Sequence, residues 1–150
     1  MTDRMGPSGA MVDRVHHFPL RVYYADTDAG GVVYHARYLD FAERGRTEMI
    51  RLLGHEQPAL LAGFGMTFAV RNLEADYRHP ARLDDLLCVR SSLSHVGGAS
   101  LHVRQSIWRG EEELVRLGIR LVCMRQDGHA MRIPAEIRLE LQNFLSEKAD

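Results

Sequence analysis

A chain of 150 residues is long enough to build one real hydrophobic core. With 45% apolar and 26% charged residues, it has the composition of an ordinary globular protein, not a disordered or fibrous one. A formal net charge of −1 supplies no field to gather nucleic acid or an anionic membrane, and no apolar run approaches the ~20 residues that a bilayer-crossing helix needs.

Residues 1–15 mix glycine, proline, serine and charge without periodicity and read as a flexible tail. They contain no apolar core of a signal peptide, so a cytoplasmic location is expected. Residues 16–150 read as a single domain. A strand is expected over 17–26. From Tyr34 or His35 to about Leu53 the spacing predicts a helix, with Tyr38, Phe41, Ala42, Gly45, Met49, Leu52 and Leu53 on one stripe and Gly54 as its stop. Met66, Phe68 and Val70 then alternate as in a strand. The phase slips at Arg71-Asn72 and resumes at Leu73, Ala75 and Tyr77, which predicts a β-bulge.

Further strands are expected over 84–95, 99–109 and 112–125, joined by hairpin turns at "HVGGAS" and "RGEEE". Pro134 opens a last helix with Ile137, Leu141, Phe144 and Leu145 inward. One strand, one long helix and a run of antiparallel strands make an α+β domain. Cys88 and Cys123 lie in apolar strands and read as buried free thiols without a nearby base, poor candidates for a nucleophile.

The informative stretch is "VYYADTDAGGVVYHARYLDFAERGR", residues 22–46, where two acids and two glycines stand at the mouth of the long helix. As a calcium loop it fails, because the twelfth position from Asp26 is Arg37 where a bidentate glutamate belongs. As an aspartate-nucleophile phosphatase motif it lacks the alternating βαβ context, and the single lysine, Lys148, sits three residues from the C-terminus.

Acyl transfer fits better. The first N–H groups of a helix lack internal partners and carry partial positive charge. Gly30 and Gly31 would let a substrate carbonyl approach the amides of Val33, Tyr34 or His35. Those donors would hold the developing oxyanion, with a carboxylate beside them as nucleophile or as base for water. The plainer alternative is a capped helix with a tight entry turn, in which the acids merely satisfy amides.

These residues resemble the hot-dog-fold acyl-CoA thioesterases of the 4-hydroxybenzoyl-CoA thioesterase type, and within them the YbgC branch, a bacterial group whose genes accompany the Tol–Pal envelope system. The resemblance runs from about Phe18 to Phe144, including "YRHPARLDDLL" and "GGASLHVRQSIW". It implies an antiparallel sheet wrapped around one long helix, hydrolysis of acyl-CoA without a cofactor, and a homodimer or homotetramer. It assigns the essential carboxylate to Asp28 and the polarising amide to His35, whose imidazole is read as either a substrate contact or a packed capping group. Gly30, Gly31, Val33 and Tyr34 fall to substrate binding, and Asp26 to support of the loop. Gly45 stands where relatives usually carry alanine, a departure that marks close packing.

Eight histidines show no convincing ligand spacing, and no metal site is expected. Arg78, Arg82, Arg90 and Arg125 are candidates for the phosphates of coenzyme A. Asp84-Asp85 reads as a turn. Pocket depth depends on where Phe64, Met66 and Phe68 point. Two rival functions remain: a binding module for acyl carrier protein or an envelope partner, and the disfavoured phosphatase.

Overall fold

The computed structural model describes residues 6–146. The chain opens with a hairpin of β1 (Ala10–Val12) and β2 (Val15–Arg21). Its two turn residues, Asp13 and Arg14, have φ of 50° and 65°. Two consecutive left-handed residues give the turn twist that matches paired strands. The reading of 1–15 as a flexible tail is therefore corrected for residues 10–15; residues 1–5 lie outside the described residues. A three-residue strand and a turn containing arginine leave almost no sequence signal. The strand expected over 17–26 is also shorter. Val22 turns its N–H to Asp85 O (2.9 Å), and Tyr24–Asp26 winds into a single 3₁₀ turn.

The long helix α1 spans Arg37–Leu52. It starts later than the expected Tyr34 or His35, because His35 and Ala36 form a turn closed by the Arg37 N–H on Tyr34 O at 2.8 Å. Its end follows the expectation. Gly54 adopts φ 94°, Gly54 N–H reaches Arg51 O, and His55 N–H reaches back to Ile50 O at 3.0 Å, a Schellman closure. A short helix that periodicity does not announce, α2 (Gln57–Phe64), follows and stops at left-handed Gly65.

The remaining strands are β3 (Met66–Tyr77), β4 (Leu86–Val96), β5 (Ser100–Arg109) and β6 (Glu112–Arg125), with α3 (Ala135–Gln142) last. Among the described residues they form a six-stranded antiparallel sheet in the order β1-β2-β4-β5-β6-β3. The bulge expected at Arg71-Asn72 is present, as the register of β3 on β6 shifts between Val70 and Asn72. The hydrogen bond between the His55 imidazole and the Glu140 carboxylate ties α3 to the end of α1.

The inner face of the sheet, carrying Leu87, Val89, Leu93, Leu101, Val103, Ile107, Leu117 and Ile119, packs on α1 through buried Tyr38, Phe41, Ala42 and Met49. One polar group sits within this layer. Gln105 occupies the inward phase of β5, donates to Ala42 O (2.8 Å) and Ser91 Oγ (2.8 Å), and accepts from Arg46 (3.0 Å). Each of its hydrogen-bonding atoms is satisfied, so burial carries no orphan penalty. Met66 is fully buried in the core, whereas Phe64 is exposed. Cys123 is a buried free thiol pushed up to about 11 by burial, and Cys88 is a half-buried one raised for the same reason.

Gly45 shows why the helix carries no side chain there. A Cβ would stand 2.7 Å from Val89 Cγ1 and 3.3 Å from Gln105 Nε2. Gly45→Ala would gain up to ~1 kcal/mol of helix propensity but incur overpacking of about 1–3 kcal/mol. A lower melting temperature by a few degrees is expected, and a thermal melt decides it. In a Val89→Ala background, the same substitution should become neutral or stabilising; equal losses in both backgrounds would refute the steric account.

Candidate active site

The acidic loop folds as a small hairpin of its own. Thr27 and Val33 form an antiparallel bridge, with Asp28 N–H on Val32 O (2.8 Å) and Tyr34 N–H on Asp26 O (2.9 Å). At its tip Gly31 N–H closes a turn onto Asp28 O (3.1 Å), and Gly31 takes φ 83°, which a β-branched residue avoids. Gly31 is thus a turn requirement first.

The two acids do not cap α1. Asp26 Oδ2 accepts from Tyr23 N–H (2.8 Å), bracing the 3₁₀ turn. Asp28 Oδ1 accepts from Gly30 N–H at 2.8 Å and from Val32 N–H at 3.4 Å. Its Oδ2 accepts nothing among the described residues, and the side chain is exposed. The plainer reading holds in part: both acids satisfy loop amides, but neither caps α1, whose preceding residue is Ala36, without a side-chain cap.

The three amides expected to face a substrate divide. Val33 is buried and gives its N–H to Ala81 O (2.9 Å), and Tyr34 gives its N–H to Asp26 O. Neither is open to a ligand, which corrects the expectation for those two amides. The His35 and Ala36 N–H groups donate to no acceptor among the described residues. In a trans peptide the C=O and N–H point opposite ways. Tyr34 C=O is turned into the helix by Arg37 N–H, so the His35 N–H points out of the helix mouth. The exposed His35 imidazole lies against Tyr34, with ring centroids 4.5 Å apart. The Tyr34 side chain is itself exposed beside it.

The segment after β3 braces this mouth. Ala81 N–H donates to Tyr38 Oη (2.9 Å), Arg82 bridges Val32, and Tyr77 Oη donates to His35 O (3.1 Å). Tyr38, read from sequence as wall and core, is indeed buried, and burial pushes its phenol up. Asp85 keeps the following turn. Burial works to raise its carboxyl, but the Arg82 amide and the Arg109 guanidinium (2.7 Å) outweigh it and hold it below the usual range.

A cavity of about 250 Å³ opens at the mouth, lined by Val33, Tyr38, Tyr77, Arg78, His79 and Pro80. A larger trough of about 420 Å³ lies on the outer sheet face, among Arg90, Arg104, Arg116, Glu74 and Asp76. The smaller one is lined by Val33 of the loop hairpin and by Tyr77, whose hydroxyl bonds His35 O, and it is the better seat for chemistry. Of the four arginines read as phosphate candidates, Arg78 lines it while paired with Asp76 (3.0 Å) and Glu113 (3.5 Å), and Arg82 adjoins the loop. Arg90 instead stacks 4.3 Å over Trp108, and Arg125 pairs with Asp127. Among the described residues no three potential metal ligands converge.

Comparison with known proteins shows the family to which the chain belongs. The model of the Thioesterase superfamily matches residues 30–116, a stretch that begins inside the loop and stops short of Asp28. The Haemophilus influenzae protein named acyl-CoA thioesterase YbgC is 46% identical over 114 residues, 76% of this chain and 84% of its own. The acyl-CoA thioester hydrolase YbgC of Escherichia coli O157:H7 is 45% identical over 108 residues, covering 71% and 80%. A solved structure of a probable thioesterase from Bartonella henselae aligns with a TM-score of 0.78 at 40% identity, covering 80% of this chain and 99% of that one. The chain belongs to the Thioesterase superfamily, with its hot-dog fold, and is a thioester hydrolase. Within that class its likeness is to the YbgC proteins.

Proposed function

We propose that the protein hydrolyses acyl-coenzyme A to the free acid and coenzyme A, with Asp28 acting at the thioester carbonyl carbon and the His35 amide holding its oxygen. The observation that carries this reading is one hairpin ending in an exposed carboxylate with a free oxygen and leading into an amide that points out of a helix mouth. An amide aimed at a developing oxyanion is worth about 10²–10³ in turnover. Asp28 then acts either as base, taking a proton from the attacking water, or as nucleophile, forming an acyl anhydride that water opens. In both routes the C–S bond breaks and the departing thiolate is protonated.

Gly30 keeps the approach to the carboxylate low, and Arg78 at the cavity and Arg82 beside the loop are the arginines proposed to meet the coenzyme A phosphates. Homodimer formation is part of this proposal. β3 is an edge strand among the described residues, Val70 and Tyr77 are exposed along it, and an unpaired edge favours a partner. No helix among the described residues is long and apolar enough to cross a membrane.

Thiol release from a panel of short, long and aromatic acyl-CoA esters tests the proposal, run beside a phosphatase assay with magnesium. Turnover is expected on acyl-CoA, and it should survive exhaustive chelation because amides supply the polarisation. Phosphatase activity without thiol release, or turnover lost to a chelator and restored by a divalent ion, would overturn it.

A further inference from the structure

We infer that Arg109 and Asp85 are positioning residues, which hold the turn after β3 so that it moors the hairpin carrying Asp28. This rests on the acyl-CoA hydrolase reading above. A continuous run of hydrogen bonds joins the two ends. From the last residue of β5, Arg109 Nη1 donates to Asp85 Oδ2 (2.7 Å), and the same oxygen accepts the Arg82 N–H (2.8 Å). That N–H shares a planar peptide with Ala81 C=O, which accepts the Val33 N–H (2.9 Å). The Val33 N–H in turn shares a peptide with Val32 C=O, which accepts the Asp28 N–H (2.8 Å). Each of these peptides is held on both sides, so a rotation at the turn passes to the residue that carries the carboxylate.

Arg109 holds the preceding peptide as well. Its Nη1 also donates to Pro80 O at 3.2 Å, while the N–H of that peptide, on Ala81, goes to Tyr38 Oη (2.9 Å). Among the described residues no backbone N–H reaches Pro80 O. Val22 bonds the backbone of this turn only at its far end, through Asp84 N–H and Asp85 O. The near end, where the hairpin is moored, therefore depends on the guanidinium. A partly exposed ion pair adds little to global stability; its grip on two successive peptides of one turn gives this pair an orienting role.

Arg109→Met and Asp85→Ala are the tests, each read in two ways. By hydrogen exchange, the Val33 and Asp28 N–H groups should exchange at least about tenfold faster than in wild type, while amides at the centre of β5 and β6 keep their rates. Wild-type exchange at Val33 and Asp28 in either variant would overturn the inference. In thiol release from acyl-CoA, measured well below every melting point, kcat should fall about five- to tenfold with KM within about threefold, since a reacting group misplaced by ~1 Å can cost about 10² in rate. A merely structural pair would lower the melting temperature and leave kcat per folded molecule unchanged. A loss confined to KM would assign the turn to substrate binding. Either result refutes positioning. If one variant does not fold, the other carries both readouts. A wild-type protein that releases no thiol from any acyl-CoA would instead sink the parent proposal, and the exchange rates would still decide the mooring.

Discussion

Asp28→Asn is expected to cut acyl-CoA turnover by more than about 100-fold, roughly 2.7 kcal/mol of barrier, while the chain melts as before. The structure explains why the fold should tolerate it. Among the described residues only Oδ1 of Asp28 is engaged, accepting from Gly30 N–H and Val32 N–H. An asparagine side chain presents a carbonyl oxygen to the same two donors. What disappears is the negative charge and the unengaged Oδ2, which is all that a base or nucleophile needs here. Turnover within about tenfold of wild type would remove Asp28 from the chemistry. Asp26→Ala supplies the contrast. It deletes the acceptor for Tyr23 N–H and should lower the melting temperature more than the turnover of the folded enzyme.

The glycine pair provides the second large effect, and its two members should fail in different ways. Gly30 has no unusual backbone angle, and a Cβ on it would stand 3.2 Å from Asp28 Oδ1. That is tight enough to displace the carboxylate. Gly30→Ala is therefore expected to shift the carboxylate by a few tenths of an ångström and to lower turnover about three- to tenfold with little change in melting, since an error of ~1 Å in a reacting group can cost about 10² in rate. Gly31 meets nothing within 4 Å but holds φ 83°. Gly31→Val should cost about 1–3 kcal/mol of loop strain, a melting loss of several degrees, and activity along with it. Rates at a temperature below both melting points, beside thermal melts, separate the two. If Gly30→Ala keeps full turnover, the glycine serves only the turn; if Gly31→Val melts like wild type, the strain argument is wrong.

Much of this protein was legible in its residues because local rules set those features. The α1 stripe from Tyr38 to Met49, the Gly54 stop, the phase slip at Arg71-Asn72 and the alternation of β6 each follow from a period or a backbone angle that neighbouring residues specify. The α+β order was readable for the same reason, and the resemblance carried by the loop led to the thioesterase family. The β1–β2 hairpin and α2 were not legible, since three- and eight-residue elements carry too few repeats to show a period.

Only the tertiary structure decided which amides at the helix mouth are open. Val33 and Tyr34 look as available as His35 in the sequence, yet their N–H groups are taken by Ala81, far along the chain, and by Asp26 across the loop hairpin. Tyr77 and Ala81 come to the helix mouth through the end of β3, more than forty residues beyond the acidic loop, and nothing near Asp28 encodes their arrival. Hydrogen-bond partners at such separations depend on sheet order and register. Residues 22–46 thus carry the groups of the proposed chemistry, while pairing across the loop hairpin and with the segment after β3 leaves only the His35 and Ala36 amides open among the described residues.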